Sequence, residues 1–408
     1  MNAYANAPWT LPSHATLFTG LLPRQHGVGS RTMRAGESLE TLAERLQAAG
    51  YETVGYSENE FVSPEFNLTQ GFDRFQRAGS DDGTSVLADF LSTWLAQRKP
   101  GRPFFLFVNV MDAHEPYQVR RDNPFVPAGT TPEAIAAVDL KVHEQLCDRL
   151  GSESSIAILR GLYLGDVAAA DGKLHQVLEL LSKAKASDSL ITIATADHGE
   201  HFGEHKLMEH NFSVREAVLH VPLVVSGLPG VAPAVVEQPV QLADVMPSVL
   251  RWSGLELPDD LAGRVLPTNS SLSPNPPVIA AEYTEPDHVN SQDYQPEWLQ
   301  RAQSEVEVRR RPCAAGYPVF GDMAAIIRYP YKLIWFERYP AELYDISKDP
   351  REATDLAAAR PDLVMAMGRD VSRLQARSLE RERQIVELSP EERATMARLG
   401  YLENPDAR

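Results

Sequence analysis

Apolar positions along the chain follow two rhythms. Leu39, Leu42, Leu46 and Ala49 recur at helical spacing and stop at Gly50, which predicts a helix over 38–50. Residues 81–98 and 156–186 carry the same spacing and predict two further helices. Between them lie short, nearly continuous apolar runs: GYETVGY at 50–56, PFFLFVNVM at 103–111, LITIATA at 190–196 and a run over 221–226. Such runs, bounded by polar residues, are the pattern of strands buried on both faces of a parallel sheet. Strands alternating with helices predict an α/β fold, a doubly wound and mostly parallel sheet flanked by helices.

Three of these runs end in polar clusters: Asn59, Asp112 with His114, and Asp197 with His198. In an open α/β sheet, ligands bind in the crevice beyond the carboxyl ends of the strands. The stretch LITIATADHGEHFGEH at 190–205 is the most informative. Its Asp197-His198 pair suits a hard metal or a phosphate. An aspartate capping the next helix beside a surface histidine is the plainer reading. Earlier, PWTLPSHATLFTGLLPRQHG at 8–27 predicts a short helix with Ser13 as N-cap and Gly20 just past its end. Thr10 then lies at a helix N-terminus, where backbone N–H groups favour an anion, or else it is only a turn residue.

The texture changes later. Residues 118–155 read as an irregular insertion over the strand ends, with helical character near 132–150. From about 268 to 315, Ser, Pro, Asn and charge dominate, interrupted by a strand at 278–282. Residues 324–336 with 342–344 predict a hairpin-rich unit, and Ser389-Pro390-Glu391-Glu392 a capping box opening a terminal helix. The expected division is an α/β domain over 1–267, then a linker and a smaller C-terminal β-subdomain with its terminal helix over 268–408.

Composition narrows the chemistry. The 408 residues are 43% hydrophobic with a net charge of −17, and the longest basic run is Arg309-Arg310-Arg311, which argues against nucleic acid as a partner. No apolar run reaches the ~20 residues of a membrane span. Cys147 and Cys313 make neither a disulfide framework nor a metal-spaced pair. The start lacks a basic-then-apolar leader, so the chain as written is expected in the cytoplasm.

Thr10-Leu11-Pro12-Ser13-His14 with Phe18-Thr19-Gly20, and Thr195 to Glu200 (TADHGE), resemble the nucleophile and late metal motifs of the sulfatase family within the alkaline phosphatase superfamily. The likeness continues in order through His205, His210, His220-Val221-Pro222-Leu223, Gln241 to Pro247, Leu343-Tyr344-Asp345, Asp349-Pro350 and Arg398 to Leu402. It implies a metal-dependent hydrolase of a small anionic ester. Asp197, His198 and Thr10 would hold one divalent ion, with Ca²⁺ first by resemblance and Mg²⁺, Mn²⁺ or Zn²⁺ open. Thr10 would be the nucleophile. His114 and His210 would contact the anion or protonate the leaving oxygen, and His14 and Asn59 would bind substrate.

The departures matter equally. Thr10 stands where the family has a Cys or Ser that becomes formylglycine, and Thr cannot be converted, which leans toward phosphate or phosphonate esters. His14 replaces an Arg. The family's first strand, ending in Asp-Asp, has no counterpart ahead of Thr10. The sheet is therefore expected to have a gap beside 103–111 and 190–196, opening onto Asp197 and His198. The alternative reading is a silent relative that binds an anionic ligand or a partner. Among the other polar residues, His26 is expected to pack behind the first helix, His201 and His205 to flank the site, and Lys332 to snorkel from a sheet.

Overall fold

The computed structural model describes residues 2–79, 83–99, 101–138, 152–186, 189–210, 213–268, 277–285 and 321–376. The first half runs β1 (Ala3–Tyr4), α1 (Thr10–Thr19), α2 (Pro23–His26), α3 (Leu42–Ala48), β2 (Glu52–Ser57), β3 (Arg74–Arg77), α4 (Gly83–Gln97), β4 (Phe104–Asn109), α5 (Pro132–Ala137) and α6 (Glu153–Lys183). Then come β5 (Thr192–Thr195), the hairpin β6 (His201–Phe202) and β7 (Met208–Glu209), α7 (Glu216–Leu219), β8 (His220–Val221), β9 (Leu223–Ser226), β10 (Val240–Gln241) and α8 (Val245–Trp252). The chain continues with β11 (Ile279–Tyr283), β12 (Met323–Arg328), β13 (Tyr331–Phe336), β14 (Glu342–Asp345) and α9 (Pro361–Gln375). The expected capping box at 389–392, and both cysteines, lie outside the described residues.

The pairing is parallel for β3-β2-β4 and for β1 with β10. It is antiparallel for β5 with β9 and β1 with β8, and throughout the C-terminal sheet β11-β12-β13-β14. Side chains along β4 alternate between two helical layers, as the strand period of two requires. Phe104, Leu106 and Val108 pack with Trp94 of α4 and Val177 and Leu181 of α6. Phe105 and Phe107 face the other way, toward Leu42 and Leu46 of α3, Leu250 of α8 and Phe18 of α1. This is the predicted α/β layering. The C-terminal sheet joins it through a shared core, in which Ile279, Met323 and Ile334 pack with Ala3, Val221 and Val240.

One feature of the sheet departs from a closed layer. Strand β2 is buried along its whole length, whereas every residue of β4 and β5 is only half-buried. Among the described residues β4 pairs only with β2, and β5 only with β9. Between their facing edges lies a cavity of about 1550 Å³. Phe104 to Met111 line one side and Ser189 to Gly199 the other, with Leu174 and Val177 of α6 over one face and Leu17, Phe18 and Trp252 on the other. The expected gap in the sheet is present, and its polar end holds Thr10, His114, Asp197 and His198.

The expectation for Lys332 is corrected. Its side chain does not snorkel to water: Lys332 is 0% exposed, with Glu216 and Glu352 brought against its ammonium from outside the C-terminal sheet. The ammonium lies 2.9 Å from Glu216 Oε1 and 2.8 Å from Glu352 Oε1. Removing one partner of a buried ion pair strands the others, which typically costs ~3–5 kcal/mol. Lys332→Met should therefore lower the urea midpoint by an equivalent of about 3 kcal/mol or more. A loss below about 1 kcal/mol would show that the two glutamates remain hydrated.

Candidate active site

The site is built where α1 meets the end of β5. Trp9 is extended (φ −154°, ψ 164°) and the helix begins at Thr10, three residues before the expected N-cap. Ser13 is not the cap, for a simple reason. The first four N–H groups of a helix have no intrahelical acceptor, so Pro12 fits inside the first turn without loss. Ser13 instead donates its hydroxyl proton to Asp197 O at 2.6 Å, tying α1 to the turn after β5. The C-terminal expectation holds: Gly20 takes φ +66°, the left-handed cap conformation. His26 sits behind the helix as expected, meeting Thr16 Oγ1 at 3.1 Å and accepting from Val28 N–H at 3.0 Å.

That tie brings the predicted residues together. Thr10 Oγ1 lies 3.5 Å from His198 Nε2, and Asp197 Oδ2 is 3.5 Å from the same nitrogen. His14 Nδ1 meets Thr10 O at 3.0 Å and stands 3.5 Å from Asp197 Oδ2. Thr10 is more enclosed than a residue at the mouth of a crevice, only 2% exposed, yet it lines the cavity. Gly199 is required by close approach: a Cβ there would come within 2.2 Å of Ala217 O. Its N–H donates to Val218 O at 2.8 Å, pressing the Asp-His-Gly turn onto α7.

The other predicted residues divide. His114 lines the cavity, and its ring is 5.6 Å from that of His210. His210 stacks on His198 with ring centroids 4.2 Å apart but is not among the lining residues. Glu200, itself a lining residue, lies 3.3 Å from the His210 Nδ1. Asn59 lines the cavity while its Oδ1 accepts from Phe61 N–H at 2.8 Å. His201 and His205 lie off the cavity. His201 is fully buried, and His205 Nε2 meets Arg351 O at 2.9 Å.

Glu200 and Tyr117 were not singled out from sequence. Tyr117 OH donates to Glu200 Oε2 at 3.4 Å, linking the loop after β4 to the turn after β5. A signal for both existed: Glu200 closes the motif TADHGE, and Tyr117 closes His114-Glu115-Pro116-Tyr117.

Burial dominates the electrostatics. It lowers His14 and His198 below the usual imidazole range. It also takes His114 down to about 4, with His210 adding to the effect. Burial lifts Glu200 to about 7. Asp197 is the exception: burial pushes it up, but His198, His14 and His210 together hold it below the ordinary carboxylate value. The corner thus sets the Asp197 carboxylate against histidines whose charging burial opposes and Asp197 favours.

Asp197 Oδ2 and Thr10 Oγ1 each stand 3.5 Å from His198 Nε2, a separation that neighbouring donors ~2.0–2.6 Å from one metal would have. The donor set is short, however. Among the described residues no group of three His, Cys, Asp or Glu could hold an ion by itself. No described helix is long and apolar enough to cross a membrane.

Comparisons with known proteins bear on the family and the fold. The chain is 23% identical to arylsulfatase K of Xenopus laevis over 414 residues, covering 90% of this chain and 74% of that protein. It is 25% identical to choline-sulfatase of Rhizobium meliloti (strain 1021), over 87% of this chain and 74% of the relative. The fold is similar to the crystal structure of phosphonate monoester hydrolase of Agrobacterium radiobacter, with a TM-score of 0.70 at 20% identity, over 93% of this chain and 88% of the other. These matches do not favour the silent, anion-binding alternative. The Sulfatase family model matches residues 1–255, and the chain belongs to that family.

Proposed function

We propose that the chain is a metal-assisted hydrolase of small anionic esters, sulfates or phosphate and phosphonate monoesters, with Thr10 as its nucleophile. The observation that carries this reading is Thr10 Oγ1 at 3.5 Å from His198 Nε2, beside the Asp197 carboxylate. The names of the relatives, an arylsulfatase, a choline-sulfatase and a phosphonate monoester hydrolase, support the range of esters.

Asp197 and His198 would hold a divalent ion, with Thr10 Oγ1 close enough to join them. The ion would neutralise charge on the anion and raise the acidity of the hydroxyl. The chain's own residues do the rest. The first turn of α1 points backbone N–H groups at the anion. Thr10 gives up its hydroxyl proton to water, its Oγ1 bonds to the sulfur or phosphorus centre, and the bond from that centre to the ester oxygen breaks on the opposite side, the departing oxygen taking a proton from water. His114 lines the cavity from the loop after β4; its Nδ1–H is committed to Glu115 O at 2.7 Å, so Nε2 would contact the bound ester as an acceptor. His210 acts indirectly, by backing the ring of His198. His14 and Asn59 complete the polar wall. Because Thr cannot become formylglycine, the Thr10 ester must be cleaved by water at the central atom, a step that suits phosphorus better than sulfur.

The short donor set and the open edges of β4 and β5 belong together in this reading. An extended segment pairing between those edges would satisfy both ladders and bring its own side chains to Asp197 and His198.

Two outcomes follow. Wild type and Thr10→Ala, each assayed with aryl sulfate, aryl phosphate and aryl phosphonate in Ca²⁺, Mg²⁺, Mn²⁺ and Zn²⁺, should differ by about a thousandfold or more in kcat on whichever ester is cleaved. Full activity of Thr10→Ala on that ester excludes Thr10 as the nucleophile. Separately, an apolar strand peptide ending in two aspartates, added to the protein with one divalent metal, should raise its melting temperature and its metal affinity. Unchanged melting and unchanged metal affinity with the peptide present would exclude this account of the cavity.

A further inference from the structure

Helix α6 carries two buried charges that play no part in the chemistry above, Asp166 (0% exposed) and Lys173 (6% exposed). Both are spent on the segment that bears His114. Lys173 Nζ lies 2.9 and 3.0 Å from the two carboxylate oxygens of Glu58, just after β2. The same ammonium lies 2.7 Å from Asp112 Oδ2, just after β4. Glu58 in turn accepts from Met111 N–H at 2.9 Å and from Tyr56 OH at 3.3 Å. About two helical turns earlier, Asp166 accepts from Gln118 N–H at 2.8 Å and Arg120 Nε at 2.7 Å. Arg120 also reaches Asp112 Oδ1 at 3.4 Å.

The segment 111–120 is therefore clamped at both ends to one helix, and His114 is held between the clamps. Three carboxylates, Glu58, Asp112 and Asp166, share two cations, Lys173 and Arg120. Such a buried ionic network is a poor way to gain stability, because removing ions from water costs about as much as their attraction returns. What it gives is a single arrangement: neither carboxylate on Lys173 can move without stranding the other charge.

We infer that Lys173 is a positioning residue for His114, fixing the loop after β4 at the geometry that points the imidazole into the cavity. This rests on the hydrolase reading for its kinetic consequence, but not for its structural one. Lys173 touches neither nucleophile nor metal ligands. It acts on the reaction only through Asp112 and Glu58.

The test uses Lys173→Met in the full chain. Hydrogen exchange followed by mass spectrometry should show peptides across 111–120 exchanging at least about tenfold faster, while those of β2 and α4 keep their wild-type rates. On the best ester found, kcat should fall by roughly ten- to a hundredfold with KM within about threefold, the signature of a misplaced group rather than a lost binding contact. Adding Lys173→Met to His114→Ala should then lower kcat no further, since the two act as one unit. Unchanged exchange over 111–120, or fully additive losses, would overturn the inference. If Lys173→Met does not fold, Asp166→Asn loosens the other clamp and must show the same local exchange and the same non-additivity with His114→Ala. If wild type cleaves no ester, the hydrolase reading fails while the exchange measurement still decides whether Lys173 holds the loop.

Discussion

The site depends on one short hydrogen bond, from Ser13 Oγ to Asp197 O at 2.6 Å. It joins the first turn of a helix to the exit of a strand nearly two hundred residues away. Without it, Thr10 and His198 have no reason to meet. The bond is possible because Pro12 has no N–H to satisfy and the Ser13 N–H is met within the helix by Trp9 O at 3.3 Å, leaving the serine hydroxyl free to reach outward. His14 reinforces the joint by contacting both Thr10 O and Asp197. Gly199 lets the strand-exit turn lie flat against α7.

Around that joint the fold arranges charge with economy. The corner holds the Asp197 carboxylate, which neighbouring histidines pull below its ordinary value, and imidazoles that burial pushes down. A divalent cation would be drawn to the carboxylate without displacing a resident cation from it. Among the described residues the buried cations are held elsewhere, Lys332 on Glu216 and Glu352, Lys173 on Glu58 and Asp112, and Arg215 on Glu342. The apolar cavity between β4 and β5 runs from this corner into the sheet. Its walls are side chains that a continuous sheet would bury, which is why a strand as apolar as Phe104–Asn109 is left half-buried.

Much of this was legible in the sequence, for identifiable reasons. Helical spacing at Leu42 and Leu46, and unbroken apolar runs at 104–109 and 192–195, fix the layers because burial on both faces permits little else. Polar residues following those runs marked the crevice, and the ordered motifs named the family. The gap followed from a strand the motifs lead one to expect. Side-chain partners were not legible. Ser13 looked like a cap because its spacing suits one, and its real acceptor is a backbone carbonyl distant in sequence. Lys332 looked peripheral because a single lysine in a strand usually is. Its partners, Glu216 and Glu352, come from outside its sheet, and no local pattern places them against it. Lys173 sits on a helix whose periodicity says only which face is inward, and two carboxylates from separate strand ends give that face its purpose.

The central claim is that Thr10 forms the bond to the transferred group. Rapid-quench intact mass spectrometry during turnover of an aryl phosphate or sulfate, followed by peptide mapping, tests it most directly. The account predicts a transient mass increase of one phosphoryl or sulfuryl group on the peptide containing residues 8–20, localised to Thr10. Turnover accompanied by a label on any other residue would contradict it.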